Sequence, residues 1–200
     1  MIRLLLTTTL GFPGLYHEKR ISSLPEYKPV ELVFRGVPGR GEVIVHIKLL
    51  PQYSPTAAAN WDRAASLGCN GTLYRAEWFL IQGNFECANQ PTGAAERGQC
   101  PSENPVMPAG AESRECHGPL MEHGMLGFCA GGIGPCFFIY LMEQTDTHWG
   151  HQHTVFAKVD DEASFDKLSE ISKLPTDGAP NAIIHHLRKS MSMQIRHSLK

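Results

Sequence analysis

The sequence predicts a mainly β domain: a closed antiparallel barrel whose ends are covered by two helices. Several short segments alternate between apolar and polar residues, as half-buried strands do, and only two segments have the spacing of an amphipathic helix. Glycine (19) and proline (14) are frequent enough to supply many turns. Many short strands with few helices are typical of closed β architectures.

Length and composition are those of one ordinary domain. With 200 residues, of which 42% are hydrophobic and 19% charged, the chain can bury a core and is not a disordered polymer. A formal net charge of −2 gives no general attraction to nucleic acid. No apolar run reaches the roughly 18 to 20 residues of a transmembrane helix, so no transmembrane span is expected.

The first predicted elements are a β-hairpin and a helix. Residues 31–35 and 42–49 flank a glycine-rich turn, and the second segment alternates as a half-buried strand does. Ser54 followed by Pro55 is a helix start, with an oxygen to cap free N–H groups, and Gly68 ends the helix. Three apolar residues share one face of it: Ala58, Trp61 and Ala65.

Later segments supply further strands and the second helix. The acidic residues 160–162 favour a helix N-terminus, and the inner face of that helix carries Phe165, Leu168 and Ile171. Residues 86–119 form a long irregular excursion, a feature that is often functional. Residues 182–187 are expected to supply the closing strand. The other predicted strands lie within 72–85, 124–128, 136–141 and 154–159.

The chain divides into an N-terminal extension (1–30), a domain (31–188) and a basic C-terminal tail (189–200). The extension has an arginine, a leucine run and no acid before Glu18, which is typical of a targeting remnant or of a plain extension. Its apolar stretch Leu4–Tyr16 has no vacant strand position in a complete barrel. We therefore expect it to dock the protein onto another chain or a membrane face. The charges of the tail indicate a solvated terminus.

Cysteines and histidines indicate no metal site. The six cysteines form no C-x-x-C pair, so neither a zinc ribbon nor a thioredoxin-like site is predicted. Disulfides near Cys87, Cys100 and Cys116 stay open, and so does the redox compartment. No carboxylate or cysteine completes a ligand set with His148, His151 and His153, so we interpret them as loop histidines.

Arg75 is the candidate functional residue that the sequence context indicates without reference to any family. It stands in the apolar and aromatic segment Thr72–Phe85, where an unpaired arginine costs too much to bury. Its guanidinium is therefore either aimed into a groove or paired with a carboxylate such as Glu77.

Four segments, in order, resemble the motifs of the cyclophilins, the peptidyl-prolyl isomerases. They are PTAAANW (55–61), YRAEWFLIQG (74–83), CFFI (136–139) and HTVFAKV (153–159). The resemblance covers about 30–188 and implies an eight-stranded barrel capped by two helices, with a proline-binding groove on its outside. YRAE together with HWG at 148–150 is closest to a divergent plant and algal branch associated with membrane organelles. It favours an organelle (plastid, mitochondrion or secretory pathway) over the cytosol.

The resemblance also implies roles for single residues. Arg75 would be the catalytic residue and donate a hydrogen bond to the prolyl nitrogen of a twisted amide, and Gln82 would hold the peptide backbone. No cofactor is implied, because rotation about the X–Pro bond needs no covalent chemistry. The implied substrate-binding residues are Phe79, Leu80, Gln82, Cys136, Phe138, Trp149 and His153.

The sequence departs from the family along the groove. Trp78 stands where the family has Pro-Gly, and Cys129, Ala130 and Cys136 replace polar residues. We expect peptide binding to weaken more than the twisting step. The predicted function is an isomerase of reduced or specialised activity that acts on proline-containing segments of client proteins. The alternative is a non-catalytic cyclophilin-like subunit of a larger assembly, held through residues 1–30.

Overall fold

The computed structural model describes residues 24–87, 98–100, 116–129, 134–178, 182 and 184–198. Two helices occur within them, α1 (Pro55–Leu67) and α2 (Glu162–Ile171). The strands are β1 (Val30–Arg35), β2 (Glu42–Leu49), β3 (Asn70–Ala76), β4 (Leu80–Glu86), β5 (Met125–Phe128), β6 (Cys136–Tyr140), β7 (Val155–Val159), β8 (Thr176–Asp177) and β9 (His186–His197).

Eight of these strands form a closed antiparallel barrel, as the sequence predicts. Their order is β1-β2-β7-β5-β6-β4-β3-β9, and β9 returns to pair with β1. In that closing pair Val30 lies opposite His197 and Arg35 lies opposite Ser192. Strand β8 stands outside the ring, paired with the start of β9. The predicted class, mainly β with two helices, is confirmed.

The interior of the barrel is filled from the strands and from α1. Trp61 of α1 is 1% exposed and is the largest of the fully buried side chains. Its ring centre lies 5.4 Å from that of Phe85, 4.8 Å from that of Phe137 and 4.5 Å from that of Phe156. This aromatic group fixes the helix against the inner face of three strands.

The helix ends follow the sequence signals with one exception. Gly68 ends α1 in the left-handed conformation (φ 64°), and its N–H reaches the last carbonyls of the helix. Ser54 takes the N-cap position, but its side chain makes no capping hydrogen bond, contrary to the prediction. In α2 the Asp161 carboxylate accepts the Ser164 N–H at 2.7 Å and so caps the helix.

The closing strand lies later in the chain than the sequence predicts. The expected strand at 182–187 and the expected tail at 189–200 are both corrected by β9, which runs from His186 to His197. Met191, Met193 and Ile195 alternate toward the core. Basic residues, which indicated a solvated tail, lie on the outer face, where Arg196 pairs with Glu31 at 2.8 Å.

Three disulfides occur among the described residues. They join Cys69 to Cys87, Cys100 to Cys116 and Cys129 to Cys136, with Cα–Cα distances of 5.1, 5.8 and 5.6 Å. The second one closes the long excursion, most of which lies outside the described residues, as do residues 1–23 of the N-terminal extension. In the part of the chain that is described, no helix has the length and apolar character needed to cross a membrane.

Trp61 gives a test of the core. Its buried Nε1–H has no hydrogen-bond partner among the described residues, a cost of roughly 1–3 kcal/mol. Trp61→Phe removes that N–H along with some ring volume, so we expect a change in unfolding free energy within about 1 kcal/mol. Trp61→Ala should cost about 3–5 kcal/mol. Urea denaturation of both variants, with their disulfides intact, measures the unfolding free energy. An equal decrease in the two variants would contradict this role of the Trp61 ring.

Candidate active site

A β-bulge in β3 places two successive polar side chains on the outside of the barrel. The register of β3 with both β4 and β9 shifts between Leu73 and Arg75. Leu73 and Ala76 are both buried in the core although they are three positions apart, which regular alternation would not allow. The bulge therefore keeps Tyr74 and Arg75 together on the outer face.

Arg75 is held from two directions. Its Nη1 donates to Oε1 of Gln82 at 2.9 Å, and its Nε donates to Oε1 of Glu77 at 2.5 Å. The guanidinium carbon also lies 5.7 Å from the centre of the Phe79 ring. No described residue accepts a hydrogen bond from Nη2. The two interpretations of Arg75 therefore hold together: it lies at an outer wall and it pairs with Glu77.

Glu77 belongs to this arrangement and is not a solvated surface partner. Its side chain is 7% exposed, and a carboxylate so deeply buried requires a paired charge. Besides Arg75, the backbone N–H of His185 reaches the same oxygen at 3.4 Å. Glu77 thus fixes the position of the Arg75 guanidinium.

Gln82 is also committed within the protein. Because arginine only donates, Oε1 of Gln82 faces Arg75, and its Nε2 donates to the Tyr74 hydroxyl at 2.9 Å and to Sγ of Cys136 at 3.2 Å. The Tyr74 hydroxyl lies 3.0 Å from the same sulfur and is the donor there, since a disulfide sulfur has no hydrogen. Both N–H groups of Gln82 are therefore in use.

A buried group of apolar and aromatic side chains adjoins Arg75 on the same outer face, and we call it the covered pocket. Alternation on β4 and β6 points Leu80 and Phe138 outward, away from the barrel core. The ring of Phe138 lies 5.5 Å from that of Trp149 and 4.8 Å from that of His153. The structure thus brings every site residue predicted from the sequence to one region: Arg75, Phe79, Leu80, Gln82, Cys136, Phe138, Trp149 and His153.

Trp149 covers this pocket. It lies edge-on to Phe138 and to His153, at interplanar angles of 81° and 80°. Phe138 is only 3% exposed and His153 only 6%. Asp146 holds the covering segment, because its Oδ1 accepts the Trp149 N–H at 2.8 Å. A ligand that contacts the Phe138 ring therefore requires Trp149 to move.

His153 is neutral at neutral pH. Burial lowers its pKa to about 4, against an ordinary value near 6.5. Its Nδ1 lies 3.1 Å from the carbonyl oxygen of Phe128. Since a carbonyl only accepts, the proton of the neutral ring is assigned to Nδ1. Arg75, next to the pocket, keeps its charge while the pocket itself carries none.

Sequence reasoning named Glu77 only as an alternative surface partner of Arg75, and it missed Tyr74 and the Cys129–Cys136 disulfide as parts of the site. Tyr74 and Glu77 flank Arg75 in the YRAE motif, but only the bulge and the turn after β3 bring their side chains to it. His151 bonds the Gly118 carbonyl at 2.8 Å through Nδ1. Across the described ranges, His, Cys, Asp and Glu side chains nowhere gather as metal ligands do.

The pKa of His153 makes stability depend on pH. The unfolded chain takes up a proton near pH 6.5, whereas folded His153 takes it up only near pH 4. Stability is therefore expected to fall by about 2–3 kcal/mol as the pH drops from 6.5 to 4.5. Lowered pKa values of Glu31 and Asp161 act mainly below that range. Urea denaturation of His153→Gln between pH 6.5 and 4.5 should show a stability that falls by about 2–3 kcal/mol less than that of the wild type. The same pH dependence in both proteins would contradict the assignment to His153.

Comparison with known proteins identifies the family of this chain. A search of the curated proteins found no match. Among solved structures, a cyclophilin type peptidyl-prolyl cis-trans isomerase of Cryptosporidium parvum is similar at 16% identity and a TM-score of 0.47. The similarity covers 87% of this chain and 99% of that one. The model of the family "Cyclophilin type peptidyl-prolyl cis-trans isomerase/CLD" matches residues 39–189. The chain belongs to the cyclophilin family.

Proposed function

We propose that the protein is a peptidyl-prolyl cis-trans isomerase of reduced activity, acting on proline-containing segments of client proteins during their folding or assembly. The observation that supports it is Arg75, a charged donor fixed by two hydrogen bonds at the edge of an apolar pocket. Rotation about an X–Pro bond faces a barrier of roughly 18–20 kcal/mol. In the twisted amide the nitrogen regains its lone pair, and a positioned donor stabilises that state over the planar one.

In this mechanism the side chains contribute hydrogen bonds and apolar contacts at fixed positions and take part in no covalent step. Glu77 and Gln82 hold two edges of the guanidinium, which leaves Nη2 of Arg75 for the prolyl nitrogen. The neutral His153 ring and Phe138 offer an apolar contact for the prolyl ring once Trp149 is displaced. No bond is made or broken in the substrate, so the reaction requires no nucleophile and no general base.

The same geometry supports reduced activity. Trp149 lies over the ring that a proline would contact, so substrate binding has to supply the free energy of displacing it. Gln82 must also give up a hydrogen bond before it donates to a peptide carbonyl. Both the displacement of Trp149 and the lost hydrogen bond of Gln82 weaken substrate binding. The Arg75 guanidinium is already in place and stabilises the twisted amide without a further cost.

The second candidate function is that of a non-catalytic subunit of a larger assembly. The covered pocket favours it as well, because a barrel that serves only as a structural unit has no need of an accessible proline site. In this proposal the N-terminal extension (1–30) docks the protein, and the barrel is a rigid body for contacts with other chains.

We also propose that the protein resides in an oxidising compartment of an organelle. The three disulfides support this, because structural disulfides persist in oxidising compartments and are rare in the cytosol. Among the organelles indicated by the sequence, the secretory pathway agrees best with such chemistry.

Arg75→Ala tests the catalytic proposal. We expect kcat/KM on an X–Pro peptide to fall by about 10²-fold, the effect of one lost charge-stabilising donor. The variant should keep its fold at reduced stability, because Glu77 loses its paired charge. Arg63→Ala, at an exposed position of α1, is the matched control and should keep full activity. A wild-type protein inactive on every X–Pro peptide would overturn the catalytic proposal, as would an unimpaired Arg75→Ala.

Trp149→Leu tests whether the pocket is covered. A smaller side chain leaves Phe138 open to a prolyl ring, so kcat/KM should rise about threefold to tenfold, mainly through a lower KM. Trp78→Leu is the matched control, because Trp78 is 73% exposed and its loss should change KM little. If Trp149→Leu lowers kcat/KM, Trp149 is a wall of the binding site and the explanation for reduced activity is wrong.

A further inference from the structure

The barrel wall has an opening on one side of β9. On one side, strand β3 pairs with β9 at His186 and again from Met191 to Gln194, with a register shift between them. On the other side β8 pairs only as far as Leu187, and β1 pairs only from Ser192 onward. Residues 188–191 therefore have no strand partner on that side among the described residues. We call this opening the wall pocket.

The backbone of Ser190 faces the wall pocket. Two residues before it, the Arg188 N–H donates to the Pro175 carbonyl at 3.1 Å, and two residues after it Ser192 pairs with Arg35. Alternate residues of an extended strand direct their N–H and C=O groups to the same side. Ser190 therefore presents one donor and one acceptor to the pocket, and it pairs with no residue of β1, β3 or β8.

The wall pocket has the volume and surface of a small-molecule site. Its volume is about 560 Å³, within the roughly 300–1,000 Å³ typical of such sites. Leu187 and Met191 lie at its inner side, where they join the barrel core. The other apolar residues that line it are Pro38, Leu174 and Pro175.

The charge of the lining has one sign. Arg35, Arg188 and Lys189 line the wall pocket, and no acidic residue does. Arg35 is paired with Glu42 at 2.8 Å and Arg188 with Asp177 at 3.3 Å, each in an exposed ion pair of the kind that contributes little to stability. Lys189 has no ion-pair partner in the described part of the chain. The pocket therefore offers an unneutralised cation beside an apolar surface.

We propose that the wall pocket binds a small amphipathic carboxylate. Its apolar body lies against Leu187 and Met191, and its carboxylate pairs with Lys189 and accepts the Ser190 N–H. Each buried CH₂ group contributes about 0.8 kcal/mol, so an aliphatic chain of moderate length gives measurable affinity. This site is separate from the Arg75 pocket, and the proposal does not depend on isomerase activity.

Calorimetric titration of the full oxidised chain with decanoate tests the proposal. We expect saturable binding at one site, with much weaker binding of decanol and none of decylamine. Lys189→Ala should weaken decanoate binding at least fivefold. Lys48→Ala, an exposed lysine of β2 outside the pocket, should leave it unchanged.

A blocking variant and a local probe fix the position of binding. Ser190→Trp places a large side chain at the exposed mouth and should abolish the heat of binding, while the amide NMR signal of Ser190 should shift on titration of the wild type. The proposal is overturned by equal affinity in Lys189→Ala and wild type, by decanol binding as tightly as decanoate, or by shifts confined to residues elsewhere.

Discussion

The pairing of β1 with β9 is the constraint on which the rest of the structure depends. Because it closes the ring, every barrel strand has a neighbour on each side, and the side of the sheet that each residue faces is fixed around the whole circumference. Trp61 of α1 then fills the interior of the ring. The polar side chains of the groove are therefore left on the outer face. The register of β4 with β6 is fixed in the same way, and on their outer face Gln82 lies directly opposite Phe138.

The bulge in β3 departs from this regular alternation and gives Arg75 its position on the outer face. Without the bulge at Tyr74, either Leu73 or Arg75 would face the wrong side of the sheet, and a core arginine would be prohibitively costly. With it, Arg75 lies outside between a buried carboxylate and an amide whose orientation the arginine itself sets. The outer face is thus well ordered around the Arg75 donor and covered over its apolar part, so the proposed isomerase site would combine a fixed donor with poor access.

The sequence predicts the barrel and a set of residues that the structure brings close together on its outer face, because period-two alternation and the ordered motifs are local signals. It fails at β9, where methionine, serine and basic residues alternate in a pattern that resembles a solvated tail. The pairing of Cys69 with Cys87 follows only once β3 and β4 are known to form a hairpin, which brings the residues flanking it together. The position of Trp149 over the pocket depends on its ring contacts with Phe138 and His153 and on the hydrogen bond of its N–H to Asp146, none of which a residue spacing reveals.

The bulge that exposes Arg75 and the opening beside Ser190 are two sides of one irregularity. Between the pairs Leu73–Met191 and Arg75–His186, β3 contributes one residue while β9 contributes four, 187–190. The excess length interrupts the ladder of β9 with β3 at 187–190, and β1 and β8 leave 188–191 unpaired on the other side, so the two gaps overlap at 188–190. The tilted contact of Tyr74 with the His186 ring, at 6.0 Å, joins the two regions across the bulge.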